Sequence, residues 1–138
     1  MCQILLVEDH DDTRQTFASL LRTWGHDVFA VRSVASGIAF LEVHKVDVIL
    51  SDLGMPERDG YDFMADVRRR DQRVMAIAVS AFSAVSDRRR SREAGFDMHF
   101  PKPVDVETLR KVLARMLARA DGNYDAWNKS SRAPMELV

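Results

Sequence analysis

Acidic side chains follow two short apolar runs of this sequence, at the point where each run ends. Glu8 and Asp9 come directly after the run 4–7. Asp52 comes directly after the run 46–51. If both runs are strands of one parallel sheet, their carboxyl ends share an edge, and the three carboxylates lie close together. Carboxylates held together repel one another, and a divalent cation relieves the repulsion; oxygen ligands open to water favour magnesium over zinc.

Two further apolar runs end at side chains that could act on the same group. Ser80 follows the run 74–79, and Lys102 lies just beyond the run 98–100. A lysine could neutralise a phosphoryl or carboxylate oxygen, and a hydroxyl can donate a hydrogen bond to the same oxygen. With a metal, these parts suit a phosphoryl group carried on Asp52, whose carboxylate is the nucleophile. Taken singly, an acid is as easily a helix cap, Ser80 a loop serine and Lys102 a surface lysine, so the prediction depends on their joint placement.

The elements that must position these groups alternate regularly along the chain. Five short apolar runs, rich in β-branched residues, are separated by four stretches with helical spacing of apolar side chains, and a fifth such stretch follows the last run. The runs lie at 4–7, 28–31, 46–51, 74–79 and 98–100. This alternation predicts an α/β fold in which a parallel sheet is covered by helices on both faces.

Local signals give the predicted helix ends and surfaces. Asp11 or Asp12 is predicted to cap the first helix, Ser33 the second and Asp105 the last. The arginine runs 68–70 and 88–90 are interpreted as solvated helix surface rather than nucleic-acid contacts. The fourth helix, with a thin apolar face, is expected to pack weakly and to offer a partner surface that moves at low cost.

Composition sets the class of protein. The 138 residues carry a formal net charge of −1 and are 46% hydrophobic, which fits one globular domain and does not favour nucleic-acid binding. The domain is predicted over 1–120, followed by a polar tail over 121–138 in which helical periodicity is lost. The single cysteine fits a reducing compartment, and no apolar run approaches the roughly 20 residues of a membrane span. A cytoplasmic protein without membrane contact is expected.

Four short motifs together resemble the receiver domains of bacterial two-component response regulators over about residues 3–120. They are Leu6-Val7-Glu8-Asp9, then Ser51-Asp52-Leu53-Gly54-Met55-Pro56 with Asp59-Gly60, then Val79-Ser80-Ala81, then Lys102-Pro103. The resemblance implies a flavodoxin-like, doubly wound sheet with five strands in the order 2-1-3-4-5 and five helices. The motifs around Phe82, Gly95 and Pro101 look most like receivers fused to hybrid sensor histidine kinases.

The same resemblance implies a role for each site residue. Asp52 would be the phosphoacceptor, taking a phosphoryl group from the phosphohistidine of a histidine kinase. Glu8 and Asp9 would form the acidic pair, and Asp9, Asp52 and the backbone carbonyl of Gly54 would bind Mg²⁺. Ser80 would turn toward the phosphoryl group and Lys102 would contact it. A cis peptide bond is implied between Lys102 and Pro103.

Two positions depart from the usual receiver pattern. His99 stands where receivers usually carry an aromatic switch residue. One interpretation makes His99 an exposed strand residue without a role; the other makes it a switch that swings inward when Ser80 moves, and that is sensitive to pH. Pro101 cannot donate to a sheet ladder, so its position predicts that the fifth strand lies at the sheet edge.

The predicted function is a phosphoacceptor switch whose α4–β5–α5 surface changes, and not a conventional enzyme, although slow self-dephosphorylation is expected. The expected partners are a histidine kinase or phosphotransfer domain, a downstream protein and a second copy of the chain. A receiver-like binding module that works without phosphorylation is the alternative. A flavodoxin-type electron carrier is disfavoured because the acids after the first strand would repel a phosphate. A phosphatase is disfavoured because Gly54 stands where a second acid is needed.

Overall fold

The computed structural model describes residues 2–54, 60–70, 73–81 and 85–120, without the side chains of 85–87 and 117–120. The predicted tail, 121–138, lies outside these residues, so the boundary at 120 stays a prediction. The elements are β1 (Gln3–Val7), α1 (Asp11–Thr23), β2 (Asp27–Val31), α2 (Val34–Val43), β3 (Val48–Asp52), α3 (Gly60–Arg70), β4 (Met75–Ser80), α4 (Val85–Ala94), β5 (Met98–Pro101) and α5 (Val106–Ala120).

The five strands form one parallel sheet in the order β2-β1-β3-β4-β5, which confirms the predicted topology. β5 lies at the edge, as Pro101 predicted, and Pro101 pairs with Ser80 of β4. The peptide bond between Lys102 and Pro103 is cis. The order 2-1-3-4-5 with helices on both faces is the flavodoxin-like fold.

Alternate side chains of the central strands divide the core into two layers. Ile4 and Leu6 of β1 face the layer that α1 and α5 cover. Leu5 and Val7 face the opposite layer, which α2 and α3 cover. Because β1, β3 and β4 are buried on both faces, they are apolar almost throughout, and their polar residues are confined to the strand ends. This confinement places chemistry at the carboxyl edge of the sheet.

Two predicted helix starts are confirmed and one is wrong. The Ser33 hydroxyl accepts a hydrogen bond from the Ser36 backbone N–H at 3.0 Å, and the Asp105 carboxylate accepts bonds from the first turn of α5. The N-cap of α1 is His10, not Asp11 or Asp12. The helix starts one residue earlier than expected, and both aspartates lie in its first turn, where negative charge favours the helix dipole.

The sequence suggested that the arginines at the end of α3 all lie in solvent. The structure shows that Arg68 does not. Arg68 is 13% exposed and pairs with Asp97, which is 2% exposed, at 3.0 Å. The Arg68 guanidinium also donates to the backbone carbonyls of Gly95 and Val74. Asp97 accepts the backbone N–H of Ala76 at 2.8 Å. Arg68 therefore joins α3 to the segment that enters β5, while Arg69 is exposed.

None of the helices among the residues that the structure describes is both long enough and apolar enough to cross a membrane.

Candidate phosphoacceptor site

The carboxyl ends of β1 and β3 bring three carboxylates together. One oxygen from each of Glu8, Asp9 and Asp52 lies within 4.8 Å of the other two. Glu8 and Asp52 are buried, whereas Asp9 is exposed. β1 and β3 are neighbouring strands, and Val7 lies opposite Ser51. Glu8 and Asp52 are the next residues along the two chains, so they lie side by side at the carboxyl edge of the sheet. An oxygen-only cluster with one side open to solvent suits a hard divalent cation such as Mg²⁺.

Backbone groups hold two of these carboxylates in place. The His10 N–H donates to Oε2 of Glu8 at 3.1 Å, and the Gly54 N–H donates to Oδ1 of Asp52 at 3.1 Å. Arg14 of α1 donates to the backbone carbonyl of Glu8 at 3.0 Å, which ties the end of β1 to the first helix. The carboxylates are thus oriented by the turns that follow their strands.

Lys102 brings a positive charge to the cluster from the far end of the sequence. Its Nζ lies 3.1 Å from Oδ2 of Asp52 and 3.6 Å from Oε1 of Glu8. The Lys102 backbone N–H donates to the Ser80 carbonyl at 2.8 Å, so the end of β4 fixes the position of the Lys102 backbone. Burial disfavours the ammonium ion, but the hydrogen bond and charge of Asp52, with the charge of Glu8, outweigh it and raise the pKa of Lys102. Lys102 is therefore a cation at neutral pH.

Burial has the larger effect on Glu8, and it favours the neutral form of this side chain. Burial raises the pKa of Glu8 to about 7, and the nearby Asp52 charge adds to the rise, although the His10 N–H and Lys102 act against it. A carboxylic acid with this pKa is partly protonated near neutrality. A cation bound to the cluster would favour its ionised form.

Ser80 lies one strand beyond Asp52 in the sheet, in β4, and His99 lies two strands beyond it, in β5. Ser80 ends β4, one residue beyond Val79, which is opposite Asp52. His99 lies opposite Ala78 in β5 and is 1% exposed. The interpretation of His99 as an exposed strand residue is therefore wrong, because its imidazole is inside the protein. Its role as a switch remains a prediction.

Gly54 and Gly60 both flank Asp52 but differ in the space around them. A Cβ on Gly54 would meet nothing within 4 Å, so this side of the site is open. A Cβ on Gly60 would lie 2.8 Å from the Asp52 carbonyl oxygen and 2.9 Å from Cα of Leu53. The Gly60 N–H also donates to the Leu53 carbonyl at 3.1 Å. Gly60 thus sets how closely α3 approaches Asp52, a role the sequence motif contained but did not explain.

A family model described as the response regulator receiver domain matches residues 4–114. The chain belongs to this receiver domain family. Receiver domains are signalling domains rather than classical enzymes, and they interact with histidine kinases or phosphotransfer partners. The predicted family and the predicted fold are confirmed.

Curated relatives include regulators and sensor kinases. The KDP operon transcriptional regulatory protein KdpE of Escherichia coli is 33% identical over 119 residues, which are 86% of this chain and 52% of KdpE. Sensor histidine kinase RcsC of Salmonella typhimurium is 29% identical over 111 residues, 80% of this chain but 12% of RcsC. This receiver domain spans about an eighth of the length of the RcsC kinases it matches.

Solved receiver structures share the fold. A two-component response regulator from Clostridium difficile has a TM-score of 0.84 at 17% identity, covering 88% of this chain and 100% of that one. Response regulator TrrA from Thermotoga maritima, solved in complex with Mg(2+)-BeF, has a TM-score of 0.76 at 19% identity, covering 84% and 99%. At these identities, the likeness supports the fold alone.

Proposed function

We propose that this receiver domain is a phosphoacceptor switch that takes a phosphoryl group on Asp52 from the phosphohistidine of a histidine kinase or phosphotransfer domain. The observation that carries the proposal is the contact of Lys102 Nζ with Oδ2 of Asp52, at 3.1 Å, beside the three-carboxylate cluster. A phosphorylation-independent binding module would not need a cation held against this one aspartate.

In the transfer, an Asp52 carboxylate oxygen attacks phosphorus and forms the new P–O bond. The P–N bond to the donor histidine breaks, and its electron pair returns to the imidazole. Lys102 compensates the negative charge that arrives on the phosphoryl oxygens, and the Ser80 hydroxyl donates a hydrogen bond to one of them. In slow self-dephosphorylation, water attacks the same phosphorus and the P–O bond to Asp52 breaks, which releases inorganic phosphate and restores the Asp52 carboxylate.

Mg²⁺ is the cofactor that fits this site. We assign Asp9, Asp52 and the Gly54 backbone carbonyl as its ligands, with Glu8 completing the acidic pair. When bound, Mg²⁺ would offset the charge of the carboxylates and of the incoming phosphoryl oxygens. The oxygen-only donor set and its open side support this choice. The Mg(2+)-BeF complex of TrrA is a further support from a relative of the same fold.

The conformational change that follows phosphorylation of Asp52 would involve Ser80 and His99 and would alter the α4–β5–α5 surface. His99 is already buried in β5, so a change in its side-chain position would be felt by the residues packed around that strand. Replacing His99 by Phe and by Ala, and comparing partner binding with and without beryllofluoride, tests this. Equal discrimination in both variants and the wild type would exclude His99 as the switch.

We place the protein in the cytoplasm, where such kinases present their phosphohistidines. It would act either as a separate regulator or as the receiver of a hybrid sensor kinase; RcsC, which it resembles over part of its length, is named a sensor histidine kinase. A downstream protein would read the changed surface.

The decisive experiment adds Mg²⁺ and acetyl phosphate, or beryllofluoride, to the wild type and to Asp52→Asn. We expect a labile phosphoryl group, and a change in the amide chemical shifts of Ser80 and Lys102 with beryllofluoride, in the wild type alone. A wild type that gains no phosphoryl group and does not respond to beryllofluoride would contradict the proposal and leave the binding-module alternative.

A further inference from the structure

α2 is the least charged helix of this fold, and its outer side is apolar. Glu42 is the one charged residue among its ten, whereas each of the other four helices carries at least four. Ala35, Ala39 and Val43 follow one another at four-residue spacing, so they lie in one row along the helix, and all three are exposed. A helix that is apolar on all sides is normally buried on all sides, but the outer row of α2 faces solvent.

The apolar surface continues from α2 onto the edge strand β2. The Phe29 ring of β2 lies 4.7 Å from the Phe40 ring of α2, between their centroids. Phe29 is 37% exposed and Val43 is 77% exposed, and they are two of the three large apolar side chains that the described part of the chain leaves exposed. Exposed apolar side chains that lie together mark interaction sites, whereas single ones do not. We call Phe29, Ala35, Ala39 and Val43 the α2 face.

The two ends of α2 carry opposite and uncompensated charge. Its first turn contains no acidic residue, so the partial positive charge of the helix N-terminus has no carboxylate beside it. Glu42 lies in the last turn, next to the partial negative charge of the C-terminus, and this turn contains no basic residue. Arg70 of α3 lies 3.8 Å from Glu42, but both side chains are more than half exposed, so the pair is loose. Each end of α2 therefore complements the other end.

We propose that the α2 face binds a second copy of this chain, with the two α2 helices antiparallel about a two-fold axis at Ala39. Glu42 is three residues beyond the axis, so it lies level with Ser36 in the first turn of the other copy. Val43, four residues beyond the axis, lies level with Ala35. The short side chain of Ala39 lets the two helices approach to the roughly 8–10 Å of ordinary helix packing.

Self-association by this route satisfies the charge and the apolar surface at once. Both Glu42 carboxylates leave an unfavourable helix end and meet a favourable one. The apolar side chains of both copies are removed from water, as in other isologous interfaces. The proposal does not depend on phosphorylation of Asp52, so its tests use protein without Mg²⁺ and stand or fall separately from the phosphoacceptor function.

Other occupants fit the α2 face less well. A nucleic acid needs a basic surface, whereas the charged residue within α2 is an acid. Helices that lie on membranes carry lysine and arginine on their polar side, and α2 contains neither. A helix of another protein would cover the apolar row, but a second copy also supplies the matching charge at both ends by symmetry.

Sedimentation of the full chain from 10 µM to 1 mM tests the proposal. The face is small, so we expect a weak dimer with a Kd on the order of 100 µM. Ala39→Glu places two carboxylates together at the axis and should weaken the dimer at least tenfold. Ala114→Glu makes the same change at an exposed residue of α5 and should leave the Kd unchanged. Urea midpoints equal to that of the wild type establish that both variants are folded.

A second pair of variants tests the antiparallel arrangement. Glu42→Gln removes two favourable contacts between a charge and a helix end, which predicts a Kd weakened by about 3- to 30-fold. Arg70→Gln breaks the same pair within the chain but retains Glu42, so it should not weaken the dimer. An unchanged Kd in Glu42→Gln would contradict the arrangement.

Cross-linking tests the position of the axis directly. A residue on a two-fold axis meets its own copy, so Ala39→Cys should be cross-linked by a short bismaleimide and Ala114→Cys should not. Three outcomes would overturn the proposal. The first is a wild type that is monomeric at 1 mM, with no cross-link in Ala39→Cys. The second is a dimer weakened equally by Ala39→Glu and Ala114→Glu, or by Ala114→Glu alone. The third is a monomer that binds phosphatidylglycerol vesicles and loses this binding in Ala39→Glu.

Discussion

Lys102 and Asp52 are fifty residues apart in the sequence, yet the lysine Nζ lies 3.1 Å from Oδ2 of the aspartate. The contact joins the loop after an edge strand to the end of a central strand, with β4 between them. Lys102 is about one-third exposed, at 34%, and Asp52 is largely buried, at 10%. The pair is therefore close and reachable by a reactant from solvent.

Replacing Lys102 by Met should weaken the beryllofluoride response by about 10- to 100-fold. A hydrogen bond between charged groups contributes roughly 1.5–3 kcal/mol, and each 1.4 kcal/mol is tenfold in affinity. Titration with beryllofluoride at fixed Mg²⁺, followed by amide chemical shifts of the site residues, measures the change. Lys45→Met, which removes an exposed lysine without an ion pair in the described residues, is the control. An unchanged affinity in Lys102→Met would show that the contact is incidental.

The raised pKa of Glu8 predicts how stability changes with pH. The value is about 7 in the folded protein and 4.5 in the unfolded chain. Between these pH values the folded state holds more protons, so the free energy of unfolding should fall as pH rises through this window and level off above it. Urea unfolding from pH 5 to 8 without metal measures the slope. Glu8→Gln should remove this contribution, and a slope identical to that of the wild type would contradict it.

Mg²⁺ affinity should follow the same ionisation in the opposite sense. Because the cation favours the ionised carboxylate, affinity should rise as pH increases from 6 to 8. Calorimetric titration at each pH measures it, and EDTA-treated protein gives the baseline. The rise should be much smaller in Glu8→Gln. A wild-type affinity independent of pH would mean that Glu8 does not sense the cation.

Alanine at Gly60 and at Gly54 should have different effects, although both flank Asp52. The new Cβ at Gly60 would press on backbone atoms of Asp52 and Leu53, which cannot yield without moving the site. Gly60→Ala should lower the free energy of unfolding by about 1–3 kcal/mol and weaken the beryllofluoride response. Gly54→Ala, which meets no atom within 4 Å, should change stability by less than about 0.5 kcal/mol. Equal effects would reject the steric argument.

Arg68 and Arg69 are neighbours with very different expected contributions. Arg68→Met leaves buried Asp97 without its cation and should destabilise the protein by about 3–5 kcal/mol. Arg69→Met breaks an exposed pair with Asp66 and should cost less than about 1 kcal/mol. Urea midpoints of the two variants measure the difference. Similar midpoints would contradict the argument that Arg68 compensates a buried charge.

The sequence by itself determined the fold class, the order of the elements and the groups at the strand ends. These features follow from periodicity and from the need of central parallel strands to be apolar on both faces, so that Glu8, Asp52 and Ser80 stand out where the runs end. Pro101 likewise predicted an edge strand, because a missing N–H is costly anywhere else.

Only the tertiary structure decided which side chains meet. That Lys102 reaches Asp52, that Arg68 is buried on Asp97 and that His99 points inward depend on contacts across 27 to 50 residues, which no local pattern encodes. His10 is the N-cap of α1. The turn after β1 decides where the helix starts, and a shift of one residue changes which residue is the cap. The burial of a side chain and its distance from other charged groups set its pKa. Both are fixed only when the strands lie side by side.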